Sequence, residues 1–103
     1  MELTLEDLWQ KYKDGERDFE NLNIVDPTGL GLSGKLLYAI NVRGSVLHNL
    51  KLSNIDFTEA DFNNTDLTGC NLQGSKLIKV NFENAILRKV NLRSAILHLI
   101  NFK

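Results

Sequence analysis

The chain has 103 residues, which suits one small domain, with 43% hydrophobic residues and a net charge of −1. A single cysteine, Cys70, excludes a disulfide framework and a cysteine-based zinc site. No stretch approaches the roughly 18 apolar residues of a membrane span, and "MELTLEDLWQ" lacks the basic start of a signal peptide, so a cytoplasmic protein is expected. The charge is uneven. Residues 1–27 carry eight acids against three bases, and residues 28–103 carry nine bases against five acids.

The first element is a helix. In "TLEDLWQKYKDG" the residues Leu5, Leu8, Trp9 and Tyr12 fall at the i, i+3, i+4, i+7 spacing of one helical face. Thr4 can cap its start, with Asp7 three residues on, and Gly15 ends it. Residues 1–17 are therefore expected to form an N-terminal capping helix, whose apolar stripe can cover the open edge of whatever follows.

Next comes "GLGLSG", Gly29 to Gly34, a literal G-x-G-x-x-G with Asp56 downstream. A dinucleotide site needs a strand before the motif and a helix opening after it. Here Asp26-Pro27 precedes and a different pattern follows, so the glycines are expected to ease corners, and no cofactor is expected.

That different pattern has a beat of five, which matches neither a helix nor a strand. Its central residues are Leu32, Leu37, Val42, Leu47, Leu52, Phe57, Phe62, Leu67, Leu72, Leu77, Phe82, Leu87, Leu92, Leu97 and Phe102. All are apolar, which a 43% hydrophobic chain does not reach by chance. Two residues before each centre stands a mostly small residue, such as Ala60, Thr65, Cys70, Ser75, Val80 and Ala85. One residue before is often Asp or Asn, as at Asp56, Asp61, Asp66, Asn71, Asn81 and Asn91. Between residues 30 and 55 the pattern loosens. Leu30 and Lys35 occupy the small-residue position, and a buried unpaired lysine is costly. Either Lys35 reaches out through a corner or the register slips near "DPTGLGLSGK".

This pattern resembles the pentapeptide-repeat family, with its loose consensus A(D/N)LXX, over residues 30–103 and from Asp18-Phe19 in "DFENLNI". The lead-in "YKDGERDF" is similar to members from photosynthetic bacteria. The resemblance implies an all-β solenoid: a right-handed quadrilateral β-helix of about four to five coils over residues 18–103. Each unit would form one side, with the central and small residues pointing inward. Coils would stack at about 4.8 Å, making neighbours of residues twenty apart. Phe62, Phe82 and Phe102 would then form one inward column, and Leu52, Leu72 and Leu92 another.

In such a tower Asp56, Asp61 and Asp66 diverge on successive sides, whereas acid–base catalysis needs converging groups. His48 and His98 lie on different sides, and Cys70 points inward, so no nucleophile–base pair assembles. The expectation is no enzyme, no cofactor and no metal. The exterior is more informative. One side carries Leu36 and Tyr38, then Asp56 and Glu59, then Lys76, Ile78 and Lys79, then Ile96, His98 and Leu99. Lys76, Ile78, Lys79, Ile96, His98 and Leu99 are the candidate face for a protein partner, with Asp56–Lys76 and Glu59–Lys79 as expected opposite-charge pairs. Leu87, Leu92, Leu97 and Phe102 would form an open last layer, a candidate end-to-end contact with a second copy. Two rival readings follow from charge. Duplex mimicry toward a topoisomerase, known in the family, wants an acidic rod, and these repeats are basic. Nucleic-acid binding through Lys76, Lys79, Arg88, Lys89, Arg93 and Lys103 lacks interleaved aromatics, so nucleic acid is not the expected partner.

Overall fold

Each five-residue unit bends once. The amides of Ala60, Thr65, Cys70 and Ser75 donate back to the carbonyls of Phe57, Phe62, Leu67 and Leu72 at 2.9–3.1 Å. The third residue of each turn is left-handed, with φ of 63° at Glu59, 56° at Asn64, 76° at Gly69 and 71° at Gly74. This is the type II turn. The Asp or Asn before each centre stabilises it: Asp56, Asp61, Asp66 and Asn71 accept the amides of Thr58, Asn63, Thr68 and Gln73 at 2.9–3.0 Å.

Four corners return the chain upon itself. In the computed structural model, which describes residues 1–103, residues twenty apart are bridged in parallel: Asp56 to Lys76, Asp61 to Asn81, Asp66 to Ile86 and Asn71 to Asn91. The result is a coil stack in which Phe57 N–H donates to Lys76 O and Lys76 N–H to Ile55 O, both at 2.9 Å. Regular strand is scarce, because a turn interrupts each side after one rung. The strands are β1 (Glu2–Thr4), β2 (Asn23–Val25), β3 (Lys76–Ile78) and β4 (Ile96–His98), joined as β1–β2 and β3–β4.

The interior is continuous. Phe62 and Phe82 stack at 5.3 Å between ring centroids and 8° between planes, Phe82 and Phe102 at 5.6 Å and 8°, and Phe57 meets Phe62 edge-on. The expected phenylalanine column is present. The small inward residues do more than fit. Ser45, Thr65 and Ser75 hydroxyls donate to the carbonyls of Phe19, Val42 and Leu52 at 2.7–2.9 Å, and the Cys70 thiol reaches Leu47 O. These residues are buried polar groups with partners, which is why hydroxyls are tolerated at the tower's centre.

The first coil departs from the twenty-residue spacing. Asp18 pairs with Asn41 and Asn23 with Val46, each 23 residues on. The three extra residues sit in the turn Asp26–Gly31. There the Asp26 carboxylate accepts Thr28 N–H at 3.2 Å, Thr28 Oγ1 at 2.6 Å and Gly31 N–H at 2.7 Å. The Thr28 hydroxyl is the chief reason that carboxyl titrates below its ordinary range. From Leu32, whose amide donates to Lys51 O at 2.9 Å, the spacing is twenty again. The register thus slips before Leu32, and the two residues expected at small inward positions there, Leu30 and Lys35, point out instead. Leu30 is 83% exposed, and exposed Lys35 places its ammonium 5.7 Å from the Trp9 ring centroid.

The helix α1 (Leu5–Lys13) forms as its pattern predicts, with the Asp7 amide donating to Thr4 Oγ1 at 3.1 Å. Leu5, Leu8 and Tyr12 join the core, and Tyr12 OH donates to Tyr38 O at 2.8 Å, fastening the helix to the first coil. Ahead of the helix, β1 pairs with β2, a strand too short to show a period in sequence. No helix is long and apolar enough to cross a membrane.

Candidate protein-interaction face

One side of the tower carries β3 and β4, and its outward residues form three columns. Leu36, Asp56, Lys76 and Ile96 are bridged in succession. Ile78 pairs with His98, beneath which stand Thr58 and Tyr38. Ala39, Glu59, Lys79 and Leu99 occupy the corners, where the first three donate to the next coil's carbonyls at 2.8–2.9 Å. Coil by coil, this side reads apolar, acidic, basic, apolar. Leu99 is 64% exposed and Ile96 49%, and Leu36 and Tyr38 are also exposed. The six sequence-selected residues, Lys76, Ile78, Lys79, Ile96, His98 and Leu99, therefore lie together on one side. Sequence reasoning left out Ala39, whose signal is conformational.

That signal is the backbone. Left-handed corners suit Gly or Asn, and the next side uses Asn21, Gly44, Asn64 and Asn84. On the candidate face all four are other residues: Ala39 at 58°, Glu59 at 63°, Lys79 at 57° and Leu99 at 56°. Each costs on the order of 1 kcal/mol in strain. This is the one side on which every coil bears that cost; elsewhere only Lys89 and Ser94, both in the last coil, do.

The expected ion pairs do not form. The ion pairs of the chain are Lys11–Glu16 at 3.8 Å, Arg43–Asp61 at 3.6 Å and His48–Asp66 at 2.6 Å. Asp56 instead turns to its own Thr58, accepting Oγ1 at 2.5 Å as well as the amide. Burial would raise the Asp56 carboxyl, but the Thr58 bonds and the nearby Lys76 charge outweigh it and hold it low. The Glu59 carboxylate beside Tyr38 pushes that phenol above its ordinary range.

The other sequence candidates are dispersed. "GLGLSG" forms the inserted turn and its exit, with no helix opening after it. Asp56, Asp61 and Asp66 each bind a local donor on a different side. His48 pairs with Asp66, away from His98, and burial pushes the Cys70 thiol up to about 11. Leu87, Leu92, Leu97 and Phe102 do lie in one layer, with Leu97 47% and Phe102 57% exposed.

Asp66 provides a pH probe. Burial opposes its ionisation, yet the Thr68 hydroxyl, the His48 ring and the Thr68 amide together lower it to about 2. Its unfolded value is about 3.9. The stabilisation is therefore complete above about pH 4 and is lost as pH falls toward 2. Thermal melts of Asp66→Asn should show a smaller fall in Tm across that window than the parent. Parallel curves would refute this.

The family model described as Pentapeptide repeats matches residues 37–74 and 65–103, in 8 copies. This chain belongs to the pentapeptide repeat family. Among solved structures, it is similar to a pentapeptide repeat protein from the cyanobacterium Cyanothece 51142, at 20% identity and a TM-score of 0.69, over 99% of this chain and 64% of that one. The likeness supports the coil-stack fold, and the chain spans 64% of that protein's length. It also resembles HetL from Nostoc sp. strain PCC 7120, a pentapeptide repeat protein involved in heterocyst differentiation regulation, at 33% identity over 84% of this chain and 36% of that one, with a TM-score of 0.38. A further pentapeptide repeat protein from Nostoc PCC 7120 matches at 23% identity over 100% of this chain and 98% of its own, with a TM-score of 0.46. No curated protein matches the chain. Pentapeptide repeat proteins are in general structural or interaction proteins.

Proposed function

We propose that this pentapeptide repeat chain is a non-enzymatic, rigid interaction module. Its right-handed quadrilateral β-helix presents one side to a protein partner through Lys76, Ile78, Lys79, Ile96, His98 and Leu99. One observation carries the reading. Of the large apolar residues exposed on the outer sides of the regular coils, Leu36, Tyr38, Ile96 and Leu99 share this side, and Ile86 alone lies elsewhere. A tower whose sides were only solvated would scatter them. The test is capture from a lysate by the parent chain against an Ile78→Asp, Ile96→Asp, Leu99→Asp variant. The variant should lose at least tenfold of what the parent retains, since each buried aliphatic anchor contributes about 1–2 kcal/mol. Equal recovery by both would eliminate the face.

A second reading places another copy of the chain on the open layer of Leu87, Leu92, Leu97 and Phe102. It is supported by the half-exposed Leu97 and Phe102 side chains and by unpaired backbone rungs beside them. Phe102→Glu should then abolish self-association in sedimentation while leaving the far-ultraviolet spectrum unchanged. A parent protein that stays monomeric at high micromolar concentration would dismiss this reading.

A further inference from the structure

We infer that the partner of the candidate face is a second copy of this chain, docked side to side and antiparallel. The inference rests on the proposed interaction face and names its occupant.

Along the stack the face reads Leu36, Tyr38, Ala39; then Asp56, Thr58, Glu59; then Lys76, Ile78, Lys79; then Ile96, His98, Leu99. Read backwards, apolar–acidic–basic–apolar becomes apolar–basic–acidic–apolar, its own complement. A two-fold axis lying in the plane of the face, perpendicular to the stack and between the acidic and basic coils, reverses coil order and preserves the columns. It sets Asp56 against the second copy's Lys76, Glu59 against Lys79, Leu36 against Ile96 and Ala39 against Leu99. Each contact occurs twice, as an isologous dimer requires. A parallel arrangement would set acid on acid and base on base, which opposes association.

Two further features favour this occupant. None of Asp56, Glu59, Lys76 and Lys79 makes an ion pair within the chain; Asp56 keeps its Thr58 bonds and Glu59 its place beside Tyr38, and both still present a charge to the face. The corner column that would meet the second copy is the one whose four residues keep side chains at left-handed positions better suited to Gly or Asn. Glu59, Lys79 and Leu99 hold a strained backbone and supply the charges and the apolar end of the pattern. The face spans three coil steps, about 14 Å along the axis. A face that short falls below the roughly 800 Å² per partner of a standard stable complex, so the dimer is weak and salt-sensitive.

The experiment is sedimentation equilibrium on the full chain, Glu59→Lys, Lys79→Glu, an equimolar mixture of those two variants, and Phe102→Glu. Thermal melts confirm that each is folded. The parent should dimerise reversibly, with about a tenfold weaker constant at high salt. Each charge variant alone should be monomeric, because its copies meet with like charges. The mixture should recover the dimer, since positions 59 and 79 then both carry lysine in one copy and glutamate in the other. Phe102→Glu should dimerise like the parent. A parent that is monomeric throughout, a Glu59→Lys dimer of unchanged strength, or a mixture that stays monomeric would overturn the inference. So would a dimer broken only by Phe102→Glu, which would put the second copy on the open coil. If the parent is monomeric but the triple aspartate variant loses a captured protein, the side-to-side dimer falls and the interaction face stands.

Discussion

Phe62→Ala should lower the stability of the tower by about 3–5 kcal/mol, near the largest loss a single truncation produces. Phe62 is 0% exposed and touches aromatic rings in two directions, edge-on to Phe57 at 5.3 Å and stacked on Phe82 at 5.3 Å. The cavity cannot collapse easily, because the rungs above and below fix the coil spacing. A domain of this size commonly has about 5–15 kcal/mol in total, so the variant should melt at least about 12 °C lower. Phe102→Ala is the internal control. That ring is 57% exposed and stacked on one side only, so its loss should cost roughly 1 kcal/mol. Similar melting for the two variants would mean that the column does not hold the coils together.

Gly31→Ala should detach the first coil while sparing the rest. Gly31 is left-handed at 70°, and an added Cβ would collide with Lys51 O, a backbone atom that cannot rotate away. Lys51 O also accepts the Leu32 amide at 2.9 Å, so yielding space breaks a rung. Strain of about 1–2 kcal/mol and a lost hydrogen bond of about 1 kcal/mol give a local cost of about 2–3 kcal/mol. Hydrogen exchange should show loss of protection at Leu32, Ile24 and Phe19, with Leu72 and Phe82 unchanged. Gly29→Ala, at 68° with open space around it, should bear the conformational cost alone. Uniform loss of protection along the chain would contradict a modular tower.

The legible parts of this molecule were those that repeat. Fifteen apolar centres in phase announced the coil, and the spacing of Phe62, Phe82 and Phe102 announced their contact. Leu5, Leu8 and Tyr12 announced the helix face, and Thr4 its cap. What escaped was local. The slip near "DPTGLGLSGK" was one of two alternatives the sequence offered, but its size of three residues was masked, because Leu30 and Leu32 kept the beat through the turn. Residues 2–4 are too few to display alternation, and β1 went unread. The small inward positions looked like space-fillers, because a sequence does not reveal that Ser75 donates to Leu52 O while accepting the Ile55 amide. On the candidate face, composition found the residues, but neither Asp56–Lys76 nor Glu59–Lys79 forms an ion pair: Asp56 binds the threonine two residues on, and Glu59 lies beside Tyr38. The left-handed corners of Ala39, Glu59, Lys79 and Leu99 are visible only once the turn type is known.

The constant step between bridged residues also governs how the molecule assembles. Beyond the first coil, each new rung joins positions twenty apart, so every layer demands the same loop-closure entropy as the one before. Apart from the helix, the short-range contacts are the isolated turn bonds at the corners, which do not propagate into one another. Once two layers have met around Phe62 and Phe82, each further layer lands on a finished template, and growth proceeds outward like crystallisation on a seed. Such a chain should fold slowly to start and quickly to finish.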